Sequence, residues 1–373
     1  MKPQHEVADI LALYGQEFLE NNNIPSYKRK VLNDIEKCRT AYFGGHITQC
    51  PDCGHREASY NSCRNRHCPK CQGAKREKWI QDREADLLPV KYFHVVFTVD
   101  HELNSLFLKY QTDMYNLLFT TAWSVIKTFS EDEKHLGAKT AMISILHTWG
   151  QNLSYHPHLH CIVPAGGITK DGKWKNSRNN GDFLFPVKAM SQVFRARLVE
   201  GVKSFVKSKN ISLEGGFYNR LFEKPWVVYA KEPFDKVNSV LEYLGRYTHK
   251  IAISNHRLID ISNNEITFSA KNYRKNGDKE QVKLSADEFL RRYCLHILAS
   301  GFRKIRHYGF LASRTKKENL AAIRKDLKVI IIIEKTKSNT EKEYTLPVCP
   351  ACKKATMEVV ETIVKERKYN QLE

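Results

Sequence analysis

The stretch His156-Pro157-His158-Leu159-His160-Cys161-Ile162-Val163 decides the fold. Side chains alternate between faces along a strand, so His158 and His160 share one face while Leu159 and Cys161 share the other. That alternation reads as a strand with one side in a core and the other carrying chemistry. Two adjacent imidazoles on a rigid strand form a bidentate metal site that needs a third ligand. Gln151, seven residues before His158, offers a hard oxygen suited to Mg2+ or Mn2+. His156 is the alternative, since it shares the parity of the pair, although Pro157 disrupts pairing there. A strand with merely structural histidines is the competing reading.

Outward from this strand, 139–147 reads as a second apolar strand and Tyr92-Phe93-His94-Val95-Val96-Phe97-Thr98-Val99 as a third, from its β-branched and aromatic content. Helical spacing of apolar residues marks two helices within 6–37, split at Asn21-Asn22-Asn23-Ile24-Pro25, and further helices at 104–130, 188–208, 233–248 and 286–299. A charged helix is expected at 73–88, a strand at 226–231, a β-meander at 250–284, and a strand at Val329-Ile330-Ile331-Ile332-Ile333. Strands and helices mix without βαβ alternation, so the class is α+β with a central antiparallel sheet flanked by helices. The expected organisation is N-terminal helices at 1–37, a zinc-binding domain at 38–88, a catalytic core at 89–265 and a basic DNA-binding region at 266–373.

Six of the ten cysteines fall between Cys38 and Cys71. The chain opens with no apolar leader, so the expected location is the cytoplasm, where clustered cysteines read as metal ligands rather than disulfides. Cys50-x2-Cys53 and Cys68-x2-Cys71 have the spacing of two knuckles that close a tetrahedral four-thiolate zinc site. Cys38, His46, Cys63 and His67 would then make a second site, giving two zinc ions. So small a segment has too few aliphatic residues to fold without metal. Cys349-Pro350-Ala351-Cys352 is a half site with no second cysteine pair after it: a degenerate knuckle, or half of a site completed across a partner chain.

Lysine and arginine number 60 against 41 acidic residues, a net charge of +19 over 373 residues. That excess points to a polyanionic partner, with DNA foremost. Arg64, Arg66 and Lys70 surround the cysteines, and residues 269–373 alone carry +11. In that last part Tyr308 lies among Arg303, Arg306 and His307, a mixture suited to phosphate neutralisation with base stacking. There is no run of about 18 apolar residues, which excludes a membrane-spanning helix, and no G-x-x-x-x-G-K-[ST] loop, which disfavours nucleotide-driven chemistry.

In Leu241-Glu242-Tyr243-Leu244-Gly245-Arg246-Tyr247-Thr248-His249-Lys250 the two tyrosines are four apart and share a helix face. Arg246 and Lys250 are cations suited to a phosphate path. A tyrosine hydroxyl titrates near pH 10 and becomes a nucleophile only beside a metal, a base or a polarised phosphate.

Together, the His158-Leu159-His160 strand followed by the Tyr243/Tyr247 helix resembles the HUH nucleases. The order of motifs is similar to the two-tyrosine, rolling-circle insertion-sequence transposases with an N-terminal zinc-binding domain. It runs through Cys38-Arg39-Thr40-Ala41, Ser62-Cys63-Arg64-Asn65-Arg66-His67-Cys68-Pro69-Lys70-Cys71, His147-Thr148-Trp149-Gly150 and Arg306-His307-Tyr308-Gly309. The resemblance implies a divalent cation, Mg2+ or Mn2+, on His158 and His160, and attack by Tyr243 or Tyr247 on single-stranded DNA or hairpin ends. The product would be a 5′-phosphotyrosine that is later rejoined. A replication-initiator nuclease and a non-catalytic zinc-ribbon regulator are the alternative readings.

Overall fold

The computed structural model describes residues 3–71, 80, 86–234, 239–240, 245, 250–272, 277–328 and 346–365. Its centre is a five-stranded, wholly antiparallel sheet formed by β3 (Tyr92–Thr98), β4 (Ala141–Trp149), β5 (Tyr155–Pro164), β8 (Val228–Phe234) and β12 (Ile305–Gly309). The order across it is β12-β4-β5-β3-β8. β4 and β5 form the hairpin that carries the histidine motif, as their adjacent apolar runs anticipate.

One face of this sheet is covered by the helices Gln111–Glu131 and Val187–Ser208. Val95, Phe97, Leu159 and Cys161 point into that layer and are inaccessible to solvent. The expected single helix over 104–130 is broken at Tyr110, whose backbone (φ −121°, ψ 49°) is not helical. On the opposite face, Ile143, Ile145 and Ile162 pack with Leu320 and Ile323 of the helix Lys316–Asp326 at one end of the sheet. The histidine end of that face opens into a cleft instead.

A second core joins segments distant in sequence. Helix Val7–Asn21 is opened by a reciprocal Glu6/Asp9 capping box, and with helix Ser26–Glu36 it packs against helix Ala286–Leu295. A three-stranded meander completes this body: β9 (Leu258–Ser262), β10 (Glu265–Asn272) and β11 (Asp278–Ser285). Leu153, in the loop between β4 and β5, is buried in the same cluster and ties the histidine hairpin to it. A small third sheet pairs β1 (Gly45–Gln49) with β2 (Arg56–Tyr60) on one side and with β13 (Glu358–Ile363) on the other. The hairpin β6 (Gly166–Ile168) and β7 (Trp174–Asn176) forms a separate two-stranded sheet, bridged to the chain before β4 through Ile168 and Lys139.

The expected boundary near residue 265 falls inside a sheet, and residues 266–373 are not one unit. They contribute β11 and a helix to the second core, β12 to the central sheet and β13 to the small sheet. β12 escaped the sequence reading because Ile305-Arg306-His307-Tyr308-Gly309 is too polar to look like a strand, and it lies at a sheet edge where such residues are accommodated. The expected strand at Val329–Ile333, most of the 73–88 helix and most of the 233–248 helix lie outside the described residues. Among the described residues, no helix is long and apolar enough to cross a membrane.

Candidate metal and strand-transfer site

His158 and His160 do share a face. Their Nε2 atoms lie 3.1 Å apart, converging on a common point. The third imidazole is His147, whose register partner across the β4–β5 ladder is His158. In an antiparallel pair, directly opposed residues project to the same side. One ring nitrogen from each of His147, His158 and His160 lies within 4.8 Å of the others. The expected third position, Gln151 or His156, does not include this ring. Gln151 and His156 line the same cleft, and the His156 ring lies outside the group of three imidazoles. Gln151 sits in the turn beyond the ladder, and its backbone carbonyl accepts from Arg257. His156 contributes its carbonyl, which accepts a hydrogen bond from His158 Nδ1 at 2.7 Å.

That bond fixes the tautomer of His158: Nδ1 carries the proton and Nε2 keeps a lone pair for a cation. His160 is held in the same way. Its Nδ1 lies 2.9 Å from Nε2 of His94, a buried residue on β3. With His160 Nε2 turned to the cluster, Nδ1 donates to His94. The sequence reading treated His94 only as part of a buried strand. Its parity with Val96, which faces His160 across the ladder, is the signal that would have placed it on the histidine face. His147 stacks on Trp149, with ring centroids 4.6 Å apart. Burial keeps His94, His158 and His160 uncharged, lowering His94 to about 3 and His158 to about 4, and holding His160 well below its ordinary range.

The cluster forms one wall of a cleft of about 970 Å³ that also reaches Thr98, Lys250, Lys271 and Glu280. Tyr243, Tyr247 and Arg246 lie outside the described residues, so the tyrosine half of the expected site is not placed.

The cysteines are partnered differently from the expected scheme. Cys38, Cys63, Cys68 and Cys71 form one group of four thiols, and Cys50, Cys53, Cys349 and Cys352 form another. In the first group Sγ–Sγ distances of 3.6 Å link Cys71 to Cys38 and to Cys63. A tetrahedron with Zn–S of about 2.3 Å has an edge of about 3.8 Å, so both groups have the spacing of thiolates around one zinc. Backbone N–H groups of Cys63 and Asn65 donate to Cys38 and Cys63 sulfurs at 3.4 Å, as suits anionic sulfur.

His46 and His67 enter neither group. His46 is carried in β1 between Ser59 and Thr362. His67 is half-buried, lowered to about 3 by desolvation, and its Nε2 accepts the Leu298 N–H at 3.4 Å.

Several residues expected to contact DNA have partners within the chain. Arg66 donates to the carbonyls of Ala299 (2.6 Å) and Leu298 (3.4 Å) beyond the helix Ala286–Leu295. Lys70 pairs with Glu6 at 2.5 Å. Arg306 lies over the Phe119 ring at 4.1 Å and Tyr308 stacks on Trp123, and both still line a surface groove. Arg64 and Arg303 are exposed, Lys250 lines the histidine cleft, and His307 lines that surface groove with Arg303.

Residues 141–319 match a family profile described as "Putative transposase", and residues 10–99 match one described as "Transposase zinc-binding domain". The chain is 40% identical to "Putative transposase y4qJ" of Sinorhizobium fredii, over 95% of both chains. It is 26% identical to the "Transposase for insertion sequence element IS801" of Pseudomonas savastanoi pv. phaseolicola, over 89% of this chain and 81% of that one. No solved structure matches it. With the histidine cluster in the first matched region and one complete cysteine group in the second, the chain belongs to the IS91-type transposases, in which a zinc-binding domain precedes the transposase region.

Proposed function

We propose that this transposase nicks and rejoins single-stranded DNA through a 5′-phosphotyrosine intermediate, moving its insertion sequence by a rolling-circle-like route. Tyr243 and Tyr247 are the nucleophiles, and His147, His158 and His160 hold the divalent cation. The observation that carries this reading is the convergence of three imidazoles on one wall of an open cleft. When bound there, the cation would polarise the scissile phosphate and orient it for in-line attack. The imidazoles bring no charge of their own, so they leave its full positive charge to act on the phosphate. Three nitrogen ligands with no carboxylate among them suit Mn2+ better than Mg2+. Lys250, at the same cleft, neutralises the backbone of the bound strand.

In the transfer step the tyrosine oxygen bonds to phosphorus and the P–O3′ bond breaks. The 3′ oxygen leaves and takes a proton, and the reverse attack by a 3′-OH restores the diester and the tyrosine. Two tyrosines allow two strand ends to be held at once. The group at Cys38, Cys63, Cys68 and Cys71 holds a structural zinc, and the exposed Arg64 beside it offers a DNA contact.

A labelled single-stranded oligonucleotide carrying an element end, incubated with Mn2+, tests the proposal. A covalent protein–DNA band is expected from the wild type. His147→Ala, His158→Ala and His160→Ala should each abolish it while retaining DNA binding, and so should Tyr243→Phe combined with Tyr247→Phe. An adduct that persists in the double tyrosine variant removes the nucleophile assignment. Wild-type cleavage by His147→Ala removes the third ligand.

A further inference from the structure

The second thiol group is assembled from opposite ends of the sequence. Cys50 Sγ lies 3.6 Å from Cys352 Sγ, and Cys53 Sγ lies 3.7 Å from Cys349 Sγ, across separations of 302 and 296 residues. The two contributing segments are built alike. In Cys50-Pro51-Asp52-Cys53-Gly54, the Gly54 N–H donates to the Cys50 carbonyl at 3.0 Å, with Gly54 at φ +74°. In Cys349-Pro350-Ala351-Cys352-Lys353, the Lys353 N–H donates to the Cys349 carbonyl at 2.9 Å, with Lys353 at φ +58°. Each turn is closed behind by its first cysteine, whose N–H donates to the carbonyl of His55 in one and of Ala355 in the other, at 2.9 and 2.8 Å.

Lysine adopts the left-handed region at a cost that glycine does not bear. With a lysine held there in the place of a glycine, the two turns follow the same backbone course. Each turn leads into a strand of the small sheet: the first joins β1 to β2, and the second runs on to β13, which pairs with β1. The apolar packing under these turns amounts to little more than Cys50, Cys349 and Met357, with Leu346, Cys352 and Ala355 at its edge. A core that small does not hold two chain segments together without a cross-link.

We propose that Cys50, Cys53, Cys349 and Cys352 bind a structural zinc of their own, closing a zinc ribbon whose two halves flank the whole transposase region. The zinc-binding unit then extends beyond residues 10–99 and needs the segment 346–365 for two ligands and one strand. The site clasps the carboxy-terminal segment onto the amino-terminal module. This inference does not depend on the strand-transfer chemistry, and its test reads no cleavage.

The full chain is purified with its zinc and titrated with a chelator. Zinc is counted by native mass spectrometry, and free thiols are mapped by alkylation and peptide analysis. Two zinc ions per chain are expected. Cys53 is exposed and Cys352 partly so, whereas the other group is buried except for Cys63, so the ribbon zinc should leave first. Cys50, Cys53, Cys349 and Cys352 should then become reactive together, while Cys38, Cys63, Cys68 and Cys71 stay protected. In parallel, C349S combined with C352S should bind one zinc and expose 346–365 to limited proteolysis. One zinc in the wild type, or two retained by that double variant, overturns the proposal. So does alkylation of Cys349 and Cys352 in the fully loaded protein while Cys50 and Cys53 remain protected, and that readout needs no substitution to fold.

Discussion

His296 links the second core to the histidine hairpin, and its protonation should loosen that link. It is 3% exposed. Its Nε2–H donates to the Leu153 carbonyl at 3.1 Å, and Nδ1 lies 3.1 Å from the Thr148 hydroxyl, which donates to it. Both nitrogens are satisfied in the neutral ring, and burial, ahead of any charge, pulls the pKa from 6.5 to about 4. Because the folded value is depressed, the unfolded chain takes up the proton first. The stabilisation is complete above about pH 6.5 and is lost as pH falls toward 4. At pH 5 the linkage amounts to about 2 kcal/mol relative to pH 8, rising to about 3.4 kcal/mol below pH 4. Chemical denaturation of wild type and His296→Gln at pH 8 and pH 5 measures it. The variant should lose about 2 kcal/mol less than the wild type over that interval, since His67 and the zinc thiolates titrate in both. Equal losses in the two proteins would refute the argument.

Three further outcomes follow from the packing. Leu153→Ala should cost about 2–5 kcal/mol by thermal denaturation, because the side chain is wholly buried; the backbone strain at φ +61° is the same for alanine and gives no relief. Gly309→Ala should cost at least ~2 kcal/mol and shift the denaturation midpoint. Its φ is +64° and a Cβ there would lie 2.0 Å from the Thr140 carbonyl, so β12 must move away from β4. His94→Phe keeps the ring but removes the acceptor for His160 Nδ1; the Mn2+ concentration for half-maximal adduct formation should rise about 10- to 100-fold, with unchanged DNA affinity.

The parts of this protein legible in its sequence are those encoded locally. The parity of His158 and His160, the apolar runs of β3, β4 and β5, and the meander before helix Ala286–Leu295 all follow from periods of two or 3.6 residues. His147 was within reach of the same reasoning. Once 139–147 and 158–163 are paired as a hairpin about the 150–154 loop, His147 falls opposite His158. The cysteine partnering was not within reach, because spacing in sequence favours Cys50-Cys53 with Cys68-Cys71, and only the tertiary fold brings Cys349 and Cys352 to the first pair. Arg66 and Lys70 show the same limit for charge. A cation beside zinc ligands looks like a DNA contact until its carbonyl or carboxylate partner, hundreds of residues away for Arg66, comes into view.

The pairing of β1 with β13 also sets an order in time. Translation runs at about 5–20 residues per second, so Cys50 and Cys53 emerge from the ribosome about 15–60 s before Cys349 and Cys352, 296 residues behind Cys53. Until then the early hairpin has one knuckle, no third strand and half a ligand set, while the histidine sheet forms between the two halves. A chain stopped short of residue 349 would carry the histidine cluster but not a closed amino-terminal module. Completion of the ribbon is therefore a marker, built into the fold, that a transposase molecule has been synthesised through its last cysteine pair.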